Sequence, residues 1–303
     1  MELREFLKME QPEAYDFKNL MGAYYRSWAG KHEGDWEYQA LLDRLPEMDR
    51  AEGIEKWYLY KTLDADLNKR ILRFDCDSWN GTCDLTDQIY AALWPAGLLE
   101  NAGVRLGGDT MNSFASLFNH FTGEASFRRS YGRCQSRLET GFQAEADRVL
   151  GALAHNTGCL GNFTLVPSRF NRYRGTRLGD FFDLSLMELK ANGAKWFGTE
   201  SEDVFTQYVN LFFLWDYTEV KGEEYEVRPF FEGHSKELMF PADREQLDEC
   251  VETINTNIRR RGTFMVKLLK LALEQPEAYR RMQECLADPA LRFESVKDAL
   301  RHI

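Results

Sequence analysis

The chain has 303 residues, 44% hydrophobic and 14% aromatic, which is ample for a sizeable core and unlike a disordered composition. Its 49 acidic and 38 basic residues give a formal charge of −11, which disfavours a broad nucleic-acid-binding surface while leaving room for a local basic groove. No run of ~18 apolar residues occurs, so a membrane span is not expected, and the start Met1-Glu2-Leu3-Arg4-Glu5-Phe6 lacks the basic and apolar regions of a secretory signal.

Helical periodicity opens the chain. Residues 13–28 repeat apolar side chains at Ala14, Phe17, Leu20, Met21, Tyr24 and Tyr25. Two more amphipathic helices are expected at 35–48, ending near Pro46, and at 54–68. Residues 71–75 read as a short strand leading into the turn-rich Asp77-Ser78-Trp79-Asn80-Gly81. A helix from about Thr86 to Trp94 follows, broken by Pro95 and Gly97. Gly107-Gly108 then precedes Asp109 and Thr110, either of which suits the N-cap of a helix carrying Phe114, Leu117, Phe118 and Phe121. Another helix spans 136–154.

Beyond it lies a loop-rich segment, 155–183, with Phe163-Thr164-Leu165-Val166 as its one plausible strand, stopped by Pro167. Helical patterns resume at 181–192, 200–216, 242–258, 262–274, 276–287 and 290–301. Arg259-Arg260-Arg261-Gly262 suits a phosphate contact and equally a helix C-terminus, where cations favour the dipole and glycine supplies the cap. Residues 225–231, aromatic in composition, read as a short strand or an irregular stretch. Without repeats or linkers, the expectation is one mainly α domain over 1–303 with a small β element near 163–166; the alternative boundary lies near 196.

The six cysteines (Cys76, Cys83, Cys134, Cys159, Cys250, Cys285) form no C-x-x-C pair and read as free thiols of a reducing cytoplasm. Asp75-Cys76-Asp77 has the D-x-D form of a metal pair, a form that acidic chains also produce by chance.

Chemistry concentrates in 155–183. Arg169, Arg172, Arg174 and Arg177 lie within nine residues of each other, and guanidinium forks grip phosphate or carboxylate in a bidentate way. Surface pairing with Asp and Glu explains them equally well. A second cluster, Arg128, Arg129, Arg133 and Arg137, would strengthen an anion site if the two met in space. His155 suits a general base or metal ligand, and also a dipole partner at a helix end. Asp180 and Asp183, three apart where a helix begins, leave room for a divalent ion, although Asp180 is first of all a cap.

Gly161-Asn162-Phe163, Pro167, Asn171, Arg174-Gly175, Asp180, Phe182 and Asp183 resemble the G-N-F-x-x-x-P … N-x-x-R-G … D-x-F-D signature of a family of bacterial proteins without an established activity. Gly108-Asp109-Thr110-Met111-Asn112-Ser113-Phe114 is similar to a second stretch of that family. More distantly, Gly161-Asn162-Phe163-Thr164-Leu165-Val166 … Asn171 resembles the HNH-like C-terminal region of modification-dependent restriction enzymes. That resemblance implies Asn162 as the bracing residue and Asn171 near the metal end. The upstream acidic-His-Ile-x-Pro block that would supply the base is absent from this chain.

Two functions follow. In the first, Asn162, Asn171, Arg172, Arg174, Asp109 and Asn112 bind a phosphate-bearing small molecule or nucleic acid, with His155 nearby and Asp180 and Asp183 as metal ligands. In the second, the Asn/Gly loop is structural and belongs to a non-catalytic scaffold or protein-interaction module. Burial of Asn162, Asn171 and Asp183 discriminates the two.

Overall fold

A computed structural model describes residues 1–30, 43–51, 56, 59, 74–79, 81–95, 106–111, 117 and 143–302. The protein is mainly α. Helices α1 (Leu3–Phe6) and α2 (Asn19–Ala29) open the chain, and α2 buries Met21 and Tyr25 at the predicted spacing. Helix α3 is Leu45–Arg50. Pro46 therefore begins this helix instead of ending one, because proline has no N–H to lose in a first turn. Helix α4 (Asp84–Leu93) matches the expectation for that region. Phe74 and Asp75, the described end of predicted strand 71–75, belong to no strand.

Strand β1 (Leu106–Thr110) corrects the reading of Gly107-Gly108-Asp109-Thr110 as a helix cap. It pairs antiparallel with β2 (Phe163–Pro167), placing Gly108 opposite Leu165 and Asp109 opposite Thr164. Glycine has low strand propensity, so local sequence hid this strand; the fully buried β2 supplies the ladder that overrides it. Most of predicted helices 35–48 and 54–68, the stretch with Phe114, Phe118 and Phe121, and the second arginine cluster lie outside the described residues.

From α5 (Gln143–Asn156) onward the description is continuous to residue 302: α6 (Phe170–Arg177), α7 (Phe182–Ala191), α8 (Gly193–Phe197) and α9 (Val204–Leu211). The hairpin β3 (Thr218–Lys221) and β4 (Glu224–Val227) covers the start of the aromatic stretch at 225–231. Helix α10 then runs unbroken over Arg244–Glu274, 31 residues, about 46 Å at 1.5 Å per residue. Gly262 thus lies inside a helix, and the predicted break after residue 258 does not occur. Helices α11 (Pro276–Leu286) and α12 (Val296–His302) close the chain.

Helix α10 organises the packing. It contacts α4, α5, α11, α12 and the short 3-10 turn Leu160–Asn162. Its buried face includes Leu247, Val251, Ile254, Ile258, Met265 and Leu269, an i, i+3, i+4 stripe along the helix. Among the described residues no helix is long and apolar enough to cross a membrane.

Candidate functional site

The centre of segment 155–183 is pressed against α10. A Cβ on Gly161 would stand 1.8 Å from the Ile258 carbonyl oxygen and 2.6 Å from the Gly262 nitrogen. Gly161 is therefore required by backbone contact, and Gly262 in α10, where a Cβ would stand 3.2 Å from the Gly161 nitrogen, is a close-fitting seat for the loop. Arg261 secures the same junction. Its Nε donates to the Phe212 carbonyl at 2.9 Å, and its Nη1 donates to the carbonyls of Gly161 at 2.8 Å and Phe163 at 2.6 Å. Burial pulls this guanidinium down to about 10, which still leaves it charged at neutral pH.

The asparagines part company. Asn162 is fully buried, and its Nδ2 donates to the Thr157 carbonyl at 3.1 Å. Its own carbonyl accepts the Met111 N–H, extending the β1–β2 pairing by one bond. Asn171 is exposed on α6, where its Oδ1 accepts from Arg174 Nε at 3.2 Å.

Arg174 is 1% exposed. Its Nη1 donates to the carbonyls of Met111 and Asp180, and its Nη2 donates to that of Thr110. The ligand-binding role expected for it meets a guanidinium already spread over three backbone carbonyls and Asn171. Those carbonyls end β1 and turn the chain into α7. One side chain thereby joins three parts of the motif.

Asp180 has φ 65°, the left-handed region, and it does not cap α7; Phe181 holds that position. Asp183 lies in the first turn of α7, where a carboxylate meets unsatisfied backbone donors and the positive end of the helix dipole. Its Oδ1 accepts the Leu184 N–H at 2.8 Å, and its Oδ2 accepts the Phe230 N–H at 2.8 Å. Oδ2 also lies 2.5 Å from His234 Nδ1, with both side chains at 0% exposure.

His234 Nε2 is 3.0 Å from the Met239 carbonyl oxygen. A carbonyl only accepts, so Nε2 is the donor there, and Nδ1 is the nitrogen turned to the Asp183 carboxyl group. The ring is stacked against Phe231 at 4.4 Å, with Phe181 edge-on at 4.7 Å. In a catalytic Asp–His pair the second nitrogen faces substrate. Here a main-chain carbonyl occupies it.

The outer side of the segment differs. Residues 148–179 contain no Asp or Glu, in a chain with 49 of them. Arg169, Arg172 and Arg177 are exposed, and among the described residues no ion pair engages them. Tyr173 and Arg177 stand at i and i+4 on α6 and share a face, while Arg169 holds the N-cap position with φ 70°, in the left-handed region. Tyr173 meets Trp196 of α8 at 4.9 Å between ring centroids, and Lys195 Nζ lies 4.2 Å from the Trp196 ring and 4.9 Å from that of Tyr173. Trp196 is fixed by Phe170, edge-on at 4.8 Å, and by its Nε1 donating to Glu188 Oε1 at 3.2 Å. Burial pushes Glu188 up, but hydrogen bonds from Lys236, Trp196 and Tyr173 outweigh it and hold the carboxyl below its usual range.

His155 sits in the last turn of α5, exposed, with Nε2 donating to the Ala14 carbonyl at 3.1 Å. It is not brought to Asp183. Asp109 is placed in β1, opposite Thr164, and Asn112 lies outside the described residues. Among the described residues no group of three or more His, Cys, Asp or Glu is arranged to hold a metal ion.

The sequence pattern assigns no role to His234, Tyr173 and Trp196, and offers Arg261 only as a phosphate contact or part of a helix end. His234 lies 51 residues from Asp183 with no motif spacing to link them. Arg261 was hidden by the expected helix end, whereas the i+4 relation of Tyr173 to Arg169 and Arg177 was available. No protein-family model, curated protein or solved structure matches this chain.

Proposed function

We propose that the protein acts by binding and not by turnover, with segment 155–183 as an internal brace that fixes the position of α6. The observation that carries this reading is the commitment of the Asp183–His234 pair: both Asp183 oxygens and both His234 nitrogens have partners inside the protein. Neither the carboxylate nor the imidazole is left to hold a metal or activate water. Arg174, spread over main-chain carbonyls, supports the same conclusion. Residues of the HNH-like block are then scaffold: Asn162 ties the loop to itself, and Asn171 orients Arg174. Free buried thiols at Cys76, Cys83, Cys159 and Cys250 fit a reducing cytoplasm.

The reading is tested by incubating the protein with DNA and RNA in Mg²⁺ and in Mn²⁺. No cleavage is expected. Cleavage by the wild type that is lost in Asn171→Ala, with circular dichroism showing the variant folded, would overturn it.

A further inference from the structure

We propose that the outer face of α6 and α8 is a docking surface for single-stranded nucleic acid. The surface comprises Arg169, Arg172, Tyr173 and Arg177 of the α6 region and Lys195 and Trp196 of α8. This assignment goes beyond a binding role in general and rests on it.

Three observations carry it. First, the α6 part of the surface is cationic in a chain of net charge −11: the 32 residues 148–179 contain no carboxylate, Arg169, Arg172 and Arg177 have no ion-pair partner among the described residues, and the carboxylate beside α8, Glu188, is buried and already paired with Lys236. Second, the cations flank aromatic rings. Tyr173 and Arg177 are one turn apart, about 6 Å along α6, Arg169 lies at the N-cap of the same helix, and the Tyr173 ring touches that of Trp196. Third, the rings are held in place before any ligand arrives. Phe170 supports both, and the indole N–H is tied to Glu188. An aromatic platform already ordered loses little freedom on binding.

This combination fits a particular chemistry. Phosphate alone calls for cations and leaves rings without a role. Bases stacked on aromatic side chains beside a cationic track are the general means of holding a single strand with little sequence preference. A duplex keeps its base faces inside its own stack and cannot offer them to Tyr173 and Trp196. Lys195, 58% exposed, lies over both rings and is 4.0 Å from Glu188. An incoming base displaces its ammonium from the rings, and the long side chain can then follow the phosphate.

The test is fluorescence anisotropy with labelled oligothymidylate and oligouridylate on the full chain. Binding is expected to weaken between about 50 and 200 mM salt, with each phosphate-contacting cation adding roughly 0.7 to the logarithmic slope. The double variant Arg172→Ala, Arg177→Ala should flatten the slope by roughly 1.4 and lower affinity at least tenfold at low salt. Tyr173→Leu should lower affinity roughly tenfold, whereas Tyr173→Phe should bind as the wild type does. Circular dichroism checks that each variant is folded. If Tyr173→Leu is not, the arginine variant alone decides.

Absence of binding at low salt, or an unchanged affinity in the arginine variant, would overturn the proposal. So would equal affinity for duplex DNA, or for inorganic polyphosphate with Tyr173→Leu silent, since either removes the stacked base. Cleavage of the oligonucleotide is a separate readout: it would count against a purely binding role and leave the docking surface standing.

Discussion

Arg172 and Arg174 are two residues apart on one helix and have the same chemistry, yet they face opposite sides of α6. Arg174 is buried and holds the carbonyls of Thr110, Met111 and Asp180; Arg172 is exposed and has no ion-pair partner among the described residues. The same division runs through the segment. Gly161, Asn162 and Asp183 belong to the inside with Arg174, while Arg169, Tyr173 and Arg177 belong to the outside. The lesson is that a cluster of functional residue types is sorted by helical position. Its inner members are held by main-chain contacts, and its outer members are left on the surface.

Perturbing the inner side gives the largest expected effects. Gly161→Ala drives a methyl group into the Ile258 carbonyl, a backbone atom that cannot rotate away. It should exceed the ~3 kcal/mol usual for overpacking and abolish folding, seen as loss of soluble protein or of a cooperative thermal transition. Normal folding of this variant would break the comparison at its centre.

Asp183→Ala comes next. It leaves His234 Nδ1 and the Phe230 N–H buried without the carboxyl oxygen they share. Breaking a buried pair in this way costs about 3–5 kcal/mol, measurable by urea denaturation. A loss under about 1 kcal/mol would place the pair among the weak interactions typical of surfaces.

Cysteines extend the contrast to another chemistry at smaller scale. Burial pushes the Cys159 thiol up to about 12, so it remains protonated until the pH approaches that value, whereas Cys285 is exposed. Iodoacetamide at about pH 8, near the ordinary thiol value, should label Cys285 in the folded protein and spare Cys159, as read by peptide mass spectrometry. Equal labelling would show that the interior beside α5 opens readily.

Much of this arrangement was legible in the residues. The helical class, β2 with its stop at Pro167, and α4 followed from apolar periodicity and breakers, which act locally. The segment 155–183 was recognisable as dense in chemistry. What local pattern could not convey was pairing at a distance. β1 is a strand because β2 lies beside it, and Gly262 stays helical because the loop at Gly161 seats against it. The Asp183–His234 contact likewise depends on how the turn after β4 returns to α7, which no motif spacing encodes. Residue type identified Arg174 and Arg172 alike, and only burial separated them.

The most direct test is a matched pair of urea denaturations on Arg174→Met and Arg172→Met. Methionine retains much of the aliphatic stem and removes the guanidinium in both. Losing Arg174 leaves three main-chain carbonyls short of a donor, each worth about 1–3 kcal/mol when buried and unsatisfied, so a destabilisation of at least ~2 kcal/mol is expected. Losing Arg172 should change stability by less than ~0.5 kcal/mol, as surface substitutions do. Equal, small effects at both positions would contradict the division of this helix into a bracing side and a binding side.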